Sequence, residues 1–187
     1  MIRNELILLL IIKKPKKDLY IRDKKHIAGL ALSAFSHLKT HDKEVLICCF
    51  IDENNKLIEI DLCAEGTKDE VSYPRIELIK RCMALGADKI AIYHTHPYKN
   101  SLIYSSSDYE TFNICNMYCK EFGIQLIEDG ILDFTRNTFL SIDNNIYTCN
   151  IEKLNLKTIK NEFFYTLRTI FLTRHKVNSI IPLMHIK

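Results

Sequence analysis

Residues 94–108 read HTHPYKNSLIYSSSD, with two histidines one residue apart and an aspartate twelve positions after the second. The apolar segment KIAIY at residues 89–93 predicts a short buried strand that leads directly into His94. On an extended segment, His94 and His96 project to the same side. Asp108 begins a predicted helix after a loop that is long enough to fold back. We therefore expect these three side chains to meet at the end of the strand.

The three residue types suit a metal ion. Imidazole nitrogens and carboxylate oxygens are zinc ligands, and three protein ligands with an open fourth position are typical of a catalytic zinc site. Zinc in such a site lowers the pKa of a bound water. A lone HxH pair is common without a metal, and the serines at 105–107 could serve only as helix caps. The full pattern, a strand into HxHP and then SxxD at a helix start, is more specific than its parts.

Hydrolysis at such a site also needs a general base and a donor to the oxyanion that forms. Ser105, three residues before Asp108, is a candidate donor. Glu44 is the favoured base, because it opens a strand predicted at residues 44–52, where a charged side chain must face solvent or a site. The carboxylates considered for the base are Glu44, Glu65, Glu77 and Glu110.

The surrounding pattern of apolar and turn residues predicts an α/β sandwich with a mixed sheet, since it lacks the alternation of a Rossmann fold. In chain order, the predicted elements are a helix at 26–38, strands at 44–52 and 56–63, a helix from Pro74 to Gly86, a strand at 89–93, a helix at 108–122, strands at 124–127, 130–134 and around 138–142, and a helix at 151–173.

The charges divide the chain of 187 residues into three parts. Residues 1–25 carry eight Lys/Arg against three Asp/Glu, residues 26–150 carry eleven against eighteen, and residues 151–187 carry seven against two. We therefore predict a basic N-terminal extension, a central domain and a basic, helical C-terminal extension with these bounds. The basic ends are most simply solvated surfaces, and the alternative is weak contact with nucleic acid.

The cysteines indicate a reducing compartment. They number seven, an odd count, and most lie in apolar runs, which favours buried thiols over disulfides and hence a cytoplasmic location. Cys115 and Cys119 are one helical turn apart, and two core thiols are favoured over a shared metal. The apolar run at residues 6–12 is shorter than the roughly 20 residues that span a bilayer. We predict a strand or short buried helix there and no membrane partner.

These motifs resemble the JAMM motif of the JAB/MPN metalloprotease superfamily, E…HxHP…SxxD, and within it the RadC-like branch. The resemblance covers about residues 26–142, in order. The matching pieces are EVLICCFIDENNKLI, EGT at 65–67, YPRIELIKRCMALGADKIAIYHTHP, SSSD at 105–108 and FGIQLIEDGIL at 122–132.

The resemblance implies a cytidine-deaminase-like, three-layer α/β sandwich with a curved mixed sheet flanked by helices. It also implies that His94, His96 and Asp108 bind zinc, that Glu44 is the base and that Ser105 stabilises the oxyanion. The implied reaction is hydrolysis of a peptide or isopeptide bond in a peptide or protein substrate. Two alternatives stay open: a DNA-associated protein of repair or recombination without peptidase activity, and a folded but inert member with a vestigial metal site.

The loop between His96 and Ser105 departs from the family pattern. It has eight residues, one more than is usual in the family, and Tyr98-Lys99 replaces the usual Ser-Gly. Thr95 also stands between the histidines where the family has asparagine. We expect these departures to affect substrate fit more than metal binding.

Overall fold

The continuous apolar run VLICCFI at residues 45–51 forms a strand whose seven residues are all buried. A strand buried on both faces needs a covering layer on each side. The computed structural model, which describes residues 11–97, 102–152 and 154–160, shows both layers. The elements in chain order are β1 (Ile11–Pro15), α1 (Lys24–Ala34), a 3₁₀ helix (Ser36–Thr40), β2 (Val45–Ile51), β3 (Leu57–Glu65), α2 (Arg75–Leu85), β4 (Lys89–Thr95), α3 (Ser106–Glu121), β5 (Gln125–Asp133), β6 (Thr138–Ser141), β7 (Ile146–Thr148) and β8 (Leu156–Lys160).

The strands form one sheet in the order β7-β6-β5-β4-β2-β3-β1-β8. The strands β4 and β5 pair in parallel, and α3 is the crossover that a parallel pair requires. The other neighbouring strands pair antiparallel, including the β2–β3 hairpin. The predicted mixed sheet is therefore confirmed, with β2 and β4 near its centre.

Alternate residues of β2 face opposite layers, as the period of a strand requires. Ile47 and Cys49 belong to the core cluster that includes α1. Leu46 and Cys48 belong to a second cluster that includes α2 and α3. Helices thus cover both faces of the sheet, and the predicted three-layer sandwich is confirmed.

For the three helices predicted before residue 151, the ends lie within about two residues of their predicted positions, with one exception. The helix α2 follows Pro74 directly and ends at Gly86, whose φ of 63° lies in the left-handed region that favours glycine. The helix α3 follows Ser105. The exception is the helix predicted at 26–38, which the structure divides into α1 and the 3₁₀ helix.

The two strands predicted at 124–127 and 130–134 are one strand, β5, and this prediction was wrong. Glu128 and Asp129 interrupt the apolar pattern, but both are buried within β5. The Ser141 hydroxyl on β6 donates to the two carboxylate oxygens of Glu128 at 2.9 and 2.8 Å. Because a neighbouring strand supplies this partner, the polar residues do not end the strand.

The helix predicted at 151–173 is wrong over residues 156–160, which form β8. This strand pairs antiparallel with β1 at the edge of the sheet, in register from Ile11 opposite Lys160 to Pro15 opposite Leu156. The unpaired backbone groups of an edge strand favour such pairing over a helix. Residues 151–152 and 154–155 are not helical either, and residues 153 and 161–173 of the predicted helix lie outside the described residues. The division into two extensions and a central domain stays a prediction.

All seven cysteines are buried and free, as predicted for core thiols. Ile11 and Ile12, at the end of the apolar run at 6–12, belong to β1, and the rest of that run lies outside the described residues. Among the helices that the structure describes, none is long and apolar enough to cross a bilayer.

Candidate metal centre

Both histidines lie at the end of β4, in the middle of the sheet. His94 pairs with Leu46 of β2 on one side and with Ile131 of β5 on the other. His96 follows the last residue of the strand, and the two histidines are only 2% and 8% exposed. Their backbone is thus fixed by two neighbouring strands, and the spacing of two residues places both rings on one side.

The start of α3 supplies the carboxylate. Ser105 is the N-cap, and its hydroxyl oxygen accepts a hydrogen bond from the Asp108 backbone N–H at 3.2 Å. Asp108 Oδ2 in turn accepts from the backbone N–H and the hydroxyl of Ser105, both at 2.7 Å. This reciprocal capping box holds the carboxylate in one orientation, with Oδ1 towards His94.

The three side chains converge on one point. His94 Nε2 lies 3.1 Å from His96 Nε2 and 3.4 Å from Asp108 Oδ1. One ligand atom from each residue lies within 4.8 Å of the others. A tetrahedral zinc ion with bonds of about 2.0–2.1 Å separates its ligand atoms by about 3.3 Å. The group can therefore hold a metal ion of this size.

The environment keeps the Asp108 carboxylate ionised. Burial alone would raise the pKa of Asp108. The hydrogen bond and charge interaction with His94, together with the bonds from Ser105, outweigh burial and hold the pKa below the usual aspartate range. An ionised carboxylate at neutral pH is the form that binds a metal.

Tyr73 is a further residue of the site that sequence reasoning missed. Its hydroxyl oxygen lies 2.8 Å from His94 Nδ1. Burial, with a smaller effect of the Asp129 charge, raises the pKa of this hydroxyl well above its usual value, so the phenol stays protonated. When His94 binds a metal through Nε2, its Nδ1–H can donate to Tyr73, and such a contact fixes the tautomer and the ring orientation.

Glu44 lies beside the histidines and is 4% exposed. Its Oε1 is 3.8 Å from His96 Nε2. Its backbone is held by the segment after β3, since its N–H donates to the Thr67 carbonyl and its carbonyl accepts from Gly66 N–H. The position of Glu44 beside the histidines explains why a charged residue can precede the fully apolar strand β2.

The other three carboxylates considered for the base do not contact His94 or His96. Glu65 lies 3.3 Å from His41 Nε2 and forms an ion pair with Lys43 at 2.6 Å. Glu77 and Glu110 are exposed on α2 and α3. Of the four predicted candidates, all within the described part of the chain, Glu44 is the one within 4 Å of a site histidine.

Ser105 lies next to Asp108, and its hydroxyl donates to the Asp108 carboxylate. Its role as an oxyanion donor stays a prediction, and so do the roles assigned to the other site residues. The departures at Tyr98 and Lys99 lie outside the described residues.

Sequence comparisons agree with the resemblance. A sequence model of the RadC-like JAB domain matches residues 21–147. A UPF0758 protein from Actinobacillus pleuropneumoniae is 29% identical over 114 residues, which cover 60% of this chain and 51% of that protein. A UPF0758 protein from Fusobacterium nucleatum is 37% identical over 93 residues, which cover 49% of this chain and 38% of that protein. The chain thus spans about half of the length of these relatives, or less. Because the matched domain takes up more than half of the chain, the protein belongs to the RadC-like JAB domain family.

Proposed function

We propose that the protein is a zinc-dependent hydrolase that cleaves a peptide or isopeptide bond in a peptide or protein substrate. The observation that carries this proposal is the convergence of His94, His96 and Asp108, with the Glu44 carboxylate 3.8 Å from His96 Nε2. Three protein ligands beside a carboxylate that does not belong to the ligand set are typical of hydrolytic zinc sites. The buried thiols further support a reducing compartment, and we propose the cytoplasm.

Each residue of the site has a proposed part in the reaction. Zinc held by the three ligands would act as a Lewis acid and lower the pKa of water. Glu44, which lies beside the ligand group, would take a proton from the attacking water and pass it to the leaving amine. Ser105 would turn its hydroxyl from Asp108 towards the carbonyl oxygen of the substrate. Tyr73 would hold His94 in the orientation that binds the metal.

The alternative of a DNA-associated protein uses the basic ends of the chain. Lys13 and Lys14 belong to the predicted N-terminal extension, but they already contact other parts of the sheet. Lys13 Nζ donates to Thr158 at 2.8 Å, and Lys14 Nζ lies 3.3 Å from the buried Glu59 carboxylate. These contacts make the two lysines weaker candidates for phosphate binding, so the hydrolase is the better-supported function.

The proposed function is tested by zinc content and turnover in three variants. Elemental analysis should find about one zinc per chain in the wild type and none in His96→Ala, since the loss of one of three ligands opens the site. Glu44→Gln should retain zinc and lose about 10²–10⁴-fold in the rate of peptide hydrolysis, because the amide cannot accept the proton. His37→Ala, which changes an exposed histidine outside the site, is the control and should retain both.

Two results would overturn the proposal. A wild-type protein that takes up no zinc even after incubation with the metal would show that the histidines are vestigial. Undiminished turnover in zinc-loaded Glu44→Gln would show that Glu44 is not the base.

A further inference from the structure

A groove of about 250 Å³ begins at His96 and runs along the end of the sheet, on the side of α1. One wall is formed by the end of the 3₁₀ helix and the segment after it, which include Lys39 and Lys43. The other wall is the turn between β5 and β6, which includes Asp133 and Arg136. The groove therefore adjoins the proposed metal centre and is open to a substrate bound there.

The charged groups along this groove are mainly basic. Among the described residues that line the groove, Lys39, Lys43 and Arg136 contribute three positive charges, and Asp133 contributes one negative charge. This excess contrasts with residues 26–150 as a whole, where Asp/Glu outnumber Lys/Arg by eighteen to eleven. General composition therefore does not account for the basic groove.

Two of these cations already have partners. Lys43 pairs with Glu65 at 2.6 Å, and Arg136 pairs with Asp133 at 2.8 Å. Within residues 11–97, 102–152 and 154–160, Lys39 has neither a hydrogen-bond nor an ion-pair partner. Because each of these two pairs is neutral overall, an anion in the groove would be attracted mainly to Lys39.

The floor of the groove is apolar. It is formed by Leu38, Val45, Leu132 and Phe134, which are between 1% and 8% exposed. A ligand that fits both the floor and the walls has a short hydrocarbon part and a terminal anionic group. Glutamate and aspartate side chains have this chemistry. A nucleic-acid strand needs a continuous basic track for successive phosphates instead, and here Asp133 interrupts the wall.

We propose that this groove is a subsite for an acidic side chain of the substrate, next to the bond that is cleaved at the metal centre. The proposal rests on the proposed function in taking the substrate to be a peptide. Lys39 binds the carboxylate, and the apolar floor packs against the methylene groups of the side chain.

The subsite is tested by binding, so that the result does not depend on turnover. Two fluorescein-labelled octapeptide pools, identical except for Glu or Gln at one central position, are titrated with zinc-loaded Glu44→Gln protein and followed by fluorescence anisotropy. The Glu pool should bind about two- to fivefold more tightly, the range for a partly exposed ion pair. Lys39→Gln in the same background should reduce this ratio to about one. Lys80→Gln, an exposed lysine on α2 at the other face of the sheet, is the matched control and should retain it.

Equal binding of the two pools, or an unchanged preference in Lys39→Gln, would overturn the subsite. Displacement of the peptide by a ten-nucleotide oligo-dT, with an affinity that depends on Lys39 and no preference for Glu over Gln, would overturn it in favour of a nucleic-acid ligand. The binding test of the subsite and the turnover test of the hydrolase can fail independently of each other. Selective binding without any hydrolysis by the wild type would refute the hydrolase alone, and hydrolysis without selectivity would refute the subsite alone.

Discussion

At the scale of single residues, His94 contacts a residue that lies outside the group of candidate metal ligands. The Tyr73 hydroxyl is 2.8 Å from His94 Nδ1, on the side of the ring opposite to Nε2. Removing a partner of this kind from a metal-binding histidine typically weakens metal binding by about 10–100-fold. We expect Tyr73→Phe to weaken zinc binding by this amount without unfolding the protein, because phenylalanine fills nearly the same volume.

The affinity is measured by competition with a chromogenic chelator. Tyr147→Phe is the control, since its hydroxyl contacts Asp143, which is outside the site, at 3.1 Å. Unchanged zinc affinity in Tyr73→Phe, with both variants folded to the same extent, would show that the phenol fills space without orienting the ring.

The residues of the site differ in how far the sequence could predict them. His94, His96 and Asp108 belong to one stretch in which a strand, a loop and a helix start follow each other, so local pattern was enough to group them. Tyr73 is 21 residues from His94, and only the packing of the segment before α2 against β4 joins them. Glu44 is an intermediate case, since a charge before an apolar strand indicates a special environment without identifying it.

At the scale of elements, the packing of α2 on β3 includes a buried group of charges. The side chains of Glu59 and Asp61 are both fully buried on β3. Arg81 of α2 pairs with Glu59, and its Nε lies 3.3 Å from Asp61 Oδ2. Two buried carboxylates therefore share one guanidinium across the interface between the helix and the sheet, and Lys14 of β1 also pairs with Glu59 at 3.3 Å.

We expect Arg81→Leu to lower the free energy of unfolding by about 3–5 kcal/mol at neutral pH, the usual cost of leaving a buried charge without its partner. Burial, followed by the charge of Glu59, raises the pKa of Asp61 well above its usual value, and Arg81 opposes this rise. A raised pKa in the folded state means that folding favours the protonated carboxyl. The contribution of Asp61 to stability is then fully present below the unfolded pKa of about 3.9 and is lost as pH rises towards the folded pKa.

Loss of Arg81 raises the pKa of Asp61 further, so the variant should lose more stability at pH 8 than at pH 5. Urea unfolding at the two pH values measures the difference. Lys80→Leu, which changes an exposed neighbour on α2, should show almost no loss at either pH. An equal loss for Arg81→Leu at both pH values would mean that packing of the arginine stem, not its charge, stabilises the interface.

Elements whose bounds are set by local residues were the ones that the sequence predicted well. The apolar run of β2 and the proline and glycine around α2 act locally, so their patterns identify them. The errors concern elements whose structure depends on a distant partner. The continuity of β5 depends on the bond from Ser141 to Glu128, and β8 forms by pairing with β1, about 145 residues earlier in the chain.

At the scale of the whole molecule, the candidate metal centre joins three separate parts of the chain. Glu44 precedes β2, His94 and His96 lie at the end of β4, and Asp108 lies in the first turn of α3. The ligand atoms converge only when the sheet and α3 are both in place. Zinc at this site should therefore bind the folded chain in preference to the unfolded chain and stabilise the fold.

The expected stabilisation has an upper limit of about 2.7 kcal/mol at a free zinc concentration of 100 times Kd. For a chain of this size, this corresponds to a rise in Tm of roughly 5–10 °C, measured by differential scanning fluorimetry with and without zinc. Unfolding exposes seven thiols that also bind zinc, so the observed rise should be smaller than this limit.

In His96→Ala the folded site is lost while the thiols of the unfolded chain remain, so zinc should leave Tm unchanged or lower it. Since the two proteins differ in one ligand, opposite effects of zinc on their Tm would assign the stabilisation to the folded site. An equal rise in both would show that zinc binds elsewhere on the folded chain.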